Sequence, residues 1–391
     1  MGRKSEYLIF LMLMINVICY GQQKSFSNAD SLTYQLYLSG KWDELITEGE
    51  AAIVTGIDYK FLRQRLGYAY FVKGDYFKAA AHLNKALKYD SFDQFTLEYL
   101  WLSYQYTGKE DFTGEIEKNM FPDLRKKLSV KRFSPVSSFE LEYNYKFSGS
   151  GFRSDAQYYR AGIATKLAFG AYLDQSVSGY SQTVSVNFTD ASPTFTIKQP
   201  EYYAALRFDF TDKLILRSAY HYISTHSGSS ITKGHLFLLG ISPDLNRFIF
   251  GLNCSLIRYS GVDTWQPELL AGYVFPGRSS FYAKGSVAAL LSSGESHIIL
   301  SPQVGLQLTE GLWLEGHASF GRMNLYNDFN GLYVYNSYDP MKMRSGAGIT
   351  YYVNNRLALW LTYSTEKKEY YNYSSNTYKQ FSYLGGLKLK I

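Results

Sequence analysis

From about Ser138 to Ile391 the chain alternates apolar and polar residues with a period of two. Phe139, Leu141, Tyr143, Tyr145 and Phe147 alternate with Glu140, Glu142, Asn144 and Lys146. The same rhythm runs through Tyr202 to Phe210, Phe248 to Leu256, Leu312 to Phe320 and Phe381 to Ile391. A period of two is that of a strand, so one face is apolar with aromatic ends and the other polar. Alternating segments of about ten residues, greasy outside and polar inside, predict an antiparallel transmembrane β-barrel over 138–391. About 14 strands fit, with 12 as the alternative, and an even number leaves both ends of the barrel on one side. Short connections are expected at Thr211–Lys213, Pro243–Asn246, Pro276–Arg278, Thr309–Gly311 and Asn354-Asn355. Longer polar ones are expected at Asn324–Pro340 and Lys367–Thr377. A soluble sandwich would need a second sheet over every apolar row.

Residues 27–128 follow a different pattern and read as helices. Gly40, Gly74 and Gly108 lie 34 residues apart, and "LGYAYFVKGDYFKAAAHLNKAL" looks like one tetratricopeptide (TPR) unit. Small residues at Gly67, Ala79 and Ala86 let two antiparallel helices approach, while Leu66, Tyr70 and Leu83 fill between them. The first repeat, with Gly49 at the position of Leu83, and the third, which degenerates after Gly108, are weaker, as terminal repeats are. By correspondence with the TPR pattern, a concave partner-binding face includes Tyr34, Tyr37, Gln64 and Tyr68, with Phe71, Glu98, Gln105 and Tyr106 beyond them. A spacer or packing surface is the competing reading.

The N-terminus carries Arg3 and Lys4, then an apolar run from Tyr7 to Tyr20, with Cys19 and Gly21 as small residues before Gln22. That is a secretory signal over 1–21, too short for a membrane span. A basic stretch, Arg125 to Arg132, leads into the linker 129–137, where it can meet anionic headgroups.

Composition sharpens this picture in three places. Tyr, at 37 residues, outnumbers Phe (26) and Trp (5) together, which suits a bilayer interface better than a soluble core. The net charge of +6 is spread along the chain and gives no reason to expect nucleic acid. Of two cysteines, Cys19 lies in the signal, leaving Cys254 without a disulfide partner, and no Cys/His pattern suggests a metal or other cofactor.

Signal, 34-residue repeats and then "YYRAGIATKLAFGAYLDQSVSGYSQ" opening an alternating C-terminal region resemble the YaiO-type outer-membrane barrel family. The resemblance covers essentially the whole mature chain and implies the outer membrane, with the N-terminal module in the periplasm. It implies no particular chemistry. The chain departs from many barrels in ending at Ile391 rather than Phe or Trp. Periplasmic repeats joined to a barrel also look like exopolysaccharide exporters, in which repeats scaffold a partner and the barrel passes the polymer.

One candidate catalytic set occurs, His317 and Ser319 with Glu315, as in outer-membrane lipid hydrolases. Parity puts all three on the lumen face, whereas lipid hydrolysis needs them at the bilayer. The lumen also collects Glu140, Glu142, Arg207 and Asp209 on the early strands, and Arg217, Arg247, Glu268, Lys284 and Arg344 on later ones. Mixed signs suggest salt-bridge networks rather than a selectivity ring. The connections "LYNDFNGLYVYNSYD" and "EYYNYSSNTY" read either as sugar-binding outer loops or as strands extending past an aromatic girdle.

These features predict a non-enzymatic outer-membrane component that meets outer-membrane lipids through its barrel and a periplasmic protein through its repeats. Its cargo would be an envelope glycan or another surface component. The alternatives are a general diffusion porin, which needs no repeats, and a lipid-modifying hydrolase.

Overall fold

The structure, a computed structural model, describes residues 25–107, 113–130, 135–167, 171–185, 193–211, 214–243, 245, 247–275, 281–309, 311–354, 356–371 and 373–391. The segment 1–21 expected as a signal, Gly108 and residues 131–134 of the expected linker lie outside these. The chain forms two compact units that divide between Val130 and Lys131. No helix among the described residues is long and apolar enough to cross a membrane.

The first unit is helical: α1 (Phe26–Leu38), α2 (Trp42–Val54), α3 (Lys60–Val72), α4 (Tyr76–Leu87), α5 (Gln94–Tyr106), and the short α6 (Thr113–Lys118) and α7 (Pro122–Lys127). The starts of α1, α3 and α5 are 34 residues apart, as are those of α2 and α4. Ser25, Asp75 and Asp93 cap α1, α4 and α5 by accepting backbone N–H bonds from Asn28, Lys78 and Thr96. Gly40 and Gly74, at φ +68° and +77°, turn the chain between paired helices. After them Lys41 N–H reaches Leu36 O at 3.0 Å and Asp75 N–H reaches Tyr70 O at 2.9 Å, closing each helix end.

The helices meet closely where the sequence is small. A Cβ on Gly67 would stand 2.6 Å from Leu83 Cγ, and one on Gly49 2.8 Å from Leu66 Cδ2. Gly49 is therefore the hole that accepts Leu66, as Gly67 accepts Leu83. Leu45, Leu62, Leu66, Leu83, Leu97 and Leu100 are completely buried and form the spine of this unit.

The second unit is a closed antiparallel barrel of 14 strands. These are β1 (Val136–Ser148), β2 (Arg153–Lys166), β3 (Ala171–Ser185), β4 (Thr194–Thr211), β5 (Leu214–Ser227), β6 (Ser230–Pro243) and β7 (Phe248–Tyr259). There follow β8 (Val262–Phe275), β9 (Phe281–Ser292), β10 (Glu295–Thr309), β11 (Leu312–Met323), β14 (Met341–Tyr352), β15 (Leu357–Tyr370) and β16 (Tyr373–Lys390). Two short strands, β12 (Tyr326–Asn327) and β13 (Val334–Tyr335), pair only with each other. Closure comes from β1 against β16, from Ser138↔Lys390 to Ser148↔Gln380, so no sheet edge is left open.

Alternation sorts the side chains as the pattern predicts. Phe139, Leu141, Tyr143 and Phe147 face out and are exposed, while Ser138, Glu142 and Asn144 between them are buried. An outer surface of Leu, Phe, Val and Tyr is suited to hydrocarbon, with backbone groups paired between neighbouring strands. Leu314→Arg puts a charge on that face and should cost about 2–4 kcal/mol if it sits near the bilayer midplane. Glu315→Gln, one residue on and facing the lumen, should change stability little. Urea unfolding in lipid vesicles compares the two, and equal losses would overturn the inside/outside assignment of β11.

Loop lengths depart from expectation. At the end opposite the termini, β5–β6, β7–β8 and β9–β10 are joined by two-residue connections such as Ser260-Gly261, so that end has no consistent set of long loops. Lys367–Thr377, expected as a long connection, is mostly strand, with Lys367↔Lys379, Lys368↔Tyr378 and Glu369↔Thr377 in register. Ladder bonds belong to the backbone, and a polar strand that needs no apolar face reads like a loop. The short turns expected at 211–213, 243–246, 276–278, 309–311 and 354–355 lie partly outside the described residues. Their flanking strands pair there, for example Thr211↔Leu214 and Thr309↔Leu312.

Candidate functional site

The connection from β11 to β14, residues 324–340, folds back into the barrel instead of standing outside it. Its two-stranded hairpin turns at Asp328–Gly331, where Gly331 N–H reaches Asp328 O at 2.9 Å and Gly331 has φ +73°. Leu325, Leu332 and Val334 pack on inward-facing Tyr203, Ala205, Ala219, Leu236, Leu238 and Ile257. On the opposite side, Tyr326 and Tyr335 join Ala288, Leu290, Ile299, Met323 and Met341. The sugar-binding or girdle reading of "LYNDFNGLYVYNSYD" is corrected here: its apolar residues have an apolar patch of the inner wall to cover.

Polar groups hold the hairpin from all round the barrel. Tyr333 Oη donates to Glu142 Oε2 at 2.7 Å on β1, and Arg217 Nη1 to Asn330 Oδ1 at 2.7 Å on β5. His221 Nδ1 lies 3.0 Å from Gly331 O, Ser255 Oγ donates to Asn327 Oδ1 at 2.7 Å, and Gln266 Nε2 to Asn327 O at 2.8 Å. Asn253 bonds Phe329 O, and Arg344 bonds the Tyr335 hydroxyl. At the far end Arg153 grips Asp339 twice, Nε–Oδ2 at 2.5 Å and Nη2–Oδ1 at 3.0 Å. Asn330 reaches Arg217, only three residues from the start of β5, so the tip approaches the end where the chain enters the barrel.

The hairpin divides the lumen. Away from the termini lies a cavity of about 700 Å³ lined by Lys146, Tyr158, Tyr180, Gln199, Tyr335 and Lys368 among others. On the other side of the tip a pocket of about 150 Å³ touches Glu140, Arg160, Arg207, Arg217, Asn330 and Lys388.

The predicted lumen residues stand as follows. Glu140 and Glu142 both pair with Arg160, at 2.8 and 2.7 Å. Arg207 lies 3.8 Å from Asp209 and over the Tyr172 ring, and Lys284 lies over Tyr282. Glu268 is buried and accepts from Gln266 at 3.1 Å. Arg247 sits half-buried in the connection just before β7 rather than within a strand. Sequence reasoning missed Arg153 and Asp339, whose partnership spans 186 residues and has no local pattern.

His317, Ser319 and Glu315 line one wall but make no relay. Ser319 Oγ accepts from Ser301 Oγ at 3.0 Å, and Glu315 accepts from the Tyr282 hydroxyl. His317 Nε2 has no hydrogen-bond partner among the described residues. A nucleophile needs its base in hydrogen-bond contact, and no such bond joins these two. No group of His, Cys, Asp or Glu among the described residues could hold a metal.

In the helical unit the predicted face is mostly aromatic. Tyr37, Trp42, Tyr68 and Tyr99 follow one another edge to face at 4.8–5.5 Å between Tyr37–Tyr68, Trp42–Tyr68 and Tyr68–Tyr99. Phe71, Tyr76 and Tyr106 continue the band, with Tyr76 stacked on Tyr106 at 4.6 Å. Tyr34 lies exposed with Arg65 over its ring at 5.0 Å, Glu98 pairs with Lys127 at 2.7 Å, and Gln105 is half-buried. Gln64, expected on the binding face, is buried instead, its amide donating to Asp93 Oδ1 at 2.7 Å and Thr96 Oγ1 at 2.8 Å. It joins α3 to α5 and has no donor left for a partner.

Behind the band, His82 is nearly buried between Glu50 Oε1 at 3.0 Å and Arg63 Nη1 at 3.1 Å. Arg63 can only donate, so Nδ1 accepts and the neutral ring donates from Nε2 to Glu50. Burial holds the imidazole down at about 4, with Glu50 opposing and Arg63 adding to the shift. A folded-state value below the ordinary 6.5 means stability is full above 6.5 and is lost as pH falls toward 4. Protonation of His82 should therefore cost residues 22–132 about 2–3 kcal/mol, roughly 10–20 °C in Tm, between pH 7.5 and 4.5. His82→Gln should flatten that loss in circular-dichroism melts, and an unchanged slope would refute the assignment.

A closed barrel of 14 antiparallel strands, apolar outside and polar within, is a transmembrane barrel of the outer-membrane type, here with a helical unit before it. No family model and no curated protein sequence matches the chain. Among solved structures, the toluene transporter TbuX of Ralstonia pickettii is similar at 8% identity and a TM-score of 0.45, covering 66% of this chain and 90% of that one. The toluene transporter TodX of Pseudomonas putida gives 10% and 0.44 over 66% and 89%. A bacterial polysaccharide outer membrane secretin gives 9% and 0.43 over 66% and 100%. At these scores the activity of each stays with that protein.

Proposed function

We propose that this chain is a non-enzymatic outer-membrane component in which periplasmic, tetratricopeptide-like repeats dock a protein partner. The barrel anchors that assembly and serves the export or assembly of an envelope glycan or another surface component. The observation that carries the reading is the aromatic band from Tyr37 to Tyr106, half-exposed along paired helices that a pore alone has no use for. Two further features agree with it. An even strand number puts the start of β1 and the end of β16 at the same barrel end, and the filled lumen is unlike that of a general diffusion porin.

Photocrosslinkers at Tyr68 and Gln105 in living cells test this reading. A periplasmic protein should be captured, and replacing residues 26–127 by a flexible linker should abolish the cellular activity while barrel abundance stays unchanged. Capture of the barrel alone would reduce the repeats to a lid or spacer.

A further inference from the structure

The 700 Å³ cavity has an unbalanced wall. Strands β1, β14 and β15 bring three cations, Lys146, Arg344 and Lys368, around one carboxylate, Glu366. Lys146 Nζ lies 2.8 Å from Glu366 Oε1, and Lys368 Nζ 3.5 Å from Oε2. Lys368 and Glu366 are buried and Lys146 is largely covered, with side-chain exposures of 3%, 2% and 14%. Arg344 donates to the Tyr335 hydroxyl, and its Nε has no hydrogen-bond partner among the described residues. The other carboxylates nearby are engaged elsewhere. Asp328 accepts Tyr333 N–H at 3.1 Å, Glu142 pairs with Arg160 at 2.7 Å, and Glu201 takes Ser178 Oγ at 2.9 Å and His221 at 3.2 Å.

A further polar group is buried behind this wall. Gln380, opposite Glu366 in the ladder, is completely buried, and neither its Nε2 nor its Oε1 has a partner among the described residues. A buried amide left empty on both atoms is costly, and so is a buried excess of positive charge. An oxyanion in the cavity balances that charge.

We propose that Lys146, Arg344 and Lys368 form an oxyanion site. It takes a carboxylate or phosphate group of a polar ligand that enters the cavity from the barrel end opposite the termini. The tyrosine rings of Tyr158 and Tyr180, in the same cavity, give the remainder of that ligand a face to stack on. Glu366 is the internal competitor, tying up the two lysines until the ligand arrives. This site is independent of the partner-docking reading, which concerns the helical unit, so either stands if the other fails.

The test is calorimetry on the full-length protein in detergent micelles, with three probes: inorganic phosphate, tetragalacturonate and neutral maltotetraose. At least one anion should bind about tenfold more tightly than maltotetraose. Lys368→Met leaves the Lys146–Glu366 pair intact and should weaken anion binding by about tenfold, the loss of one charge-assisted contact. Glu366→Gln should act in the opposite direction, and heat-modifiable migration checks that each variant is folded. If Glu366→Gln does not fold, Lys368→Met alone decides. Tetragalacturonate binding alone assigns the oxyanion to an acidic saccharide, phosphate binding alone assigns it to a phosphate, and both support the site. No anion binding at millimolar concentration, equal binding of maltotetraose, or indifference to Lys368→Met would overturn it.

Discussion

Replacing residues 326–338 by a short Gly/Ser linker should raise single-channel conductance in planar bilayers by at least about tenfold over the native barrel. The hairpin fills the cross-section with its own side chains. It touches Glu142 on β1, Arg217 and His221 on β5, Ser255 on β7, Gln266 on β8 and Arg344 on β14. A 14-stranded barrel emptied of such an insertion has room for a water path. The barrel itself should survive, because its ladder closes between β1 and β16 without help from the hairpin. Unchanged conductance in a folded deletion variant would mean that ions already pass beside the hairpin, and the lumen would then have to be regarded as open.

The barrel was legible in the sequence because lipid imposes a rule that recurs on every strand. Each residue facing hydrocarbon must be apolar and each backbone group paired, so the period of two persists from Phe139 to Leu389. The same parity places His317 and Ser319 inward in sequence and structure alike. The hairpin was not legible because a loop that fills a polar lumen has the composition of a loop in water. Asn327, Asp328, Asn330 and Asn336 read the same in both settings. The available signal lay elsewhere, in the inward positions Leu236, Leu238 and Ile257. Their apolar side chains break the polar-inside rule and imply something apolar across from them, and Leu325, Leu332 and Val334 supply it. Gln64 shows a similar limit in the helical unit. Its repeat position marks a concave face, but its amide is committed to Asp93 and Thr96, a pairing that only three-dimensional packing selects.

Arg153→Ala should release the hairpin without unfolding the barrel. Arg153 and Asp339 are almost completely buried, at 4% and 2% side-chain exposure, and meet in two parallel bonds. Asp339 also accepts from Tyr378 Oη and from Tyr371 N–H, both at 2.9 Å, while Arg153 Nη1 donates to Ser185 O at 2.8 Å. Removing one member of a buried pair leaves a charge without its counterpart, a loss of about 3–5 kcal/mol. Here that loss falls on docking of the hairpin, because Arg153 belongs to the wall and Asp339 to the end of the insertion. The undocked population should rise by about two to three and a half orders of magnitude, as 3–5 kcal/mol implies. The readout is faster hydrogen exchange at Asn327 and Tyr333, with β1–β16 protection unchanged. Replacing both members, Arg153→Met with Asp339→Leu, leaves no orphaned charge and should recover much of the loss. If the double variant is as damaged as the single, the pair does not act as a unit and the hairpin is held by its apolar face on β4–β7 instead.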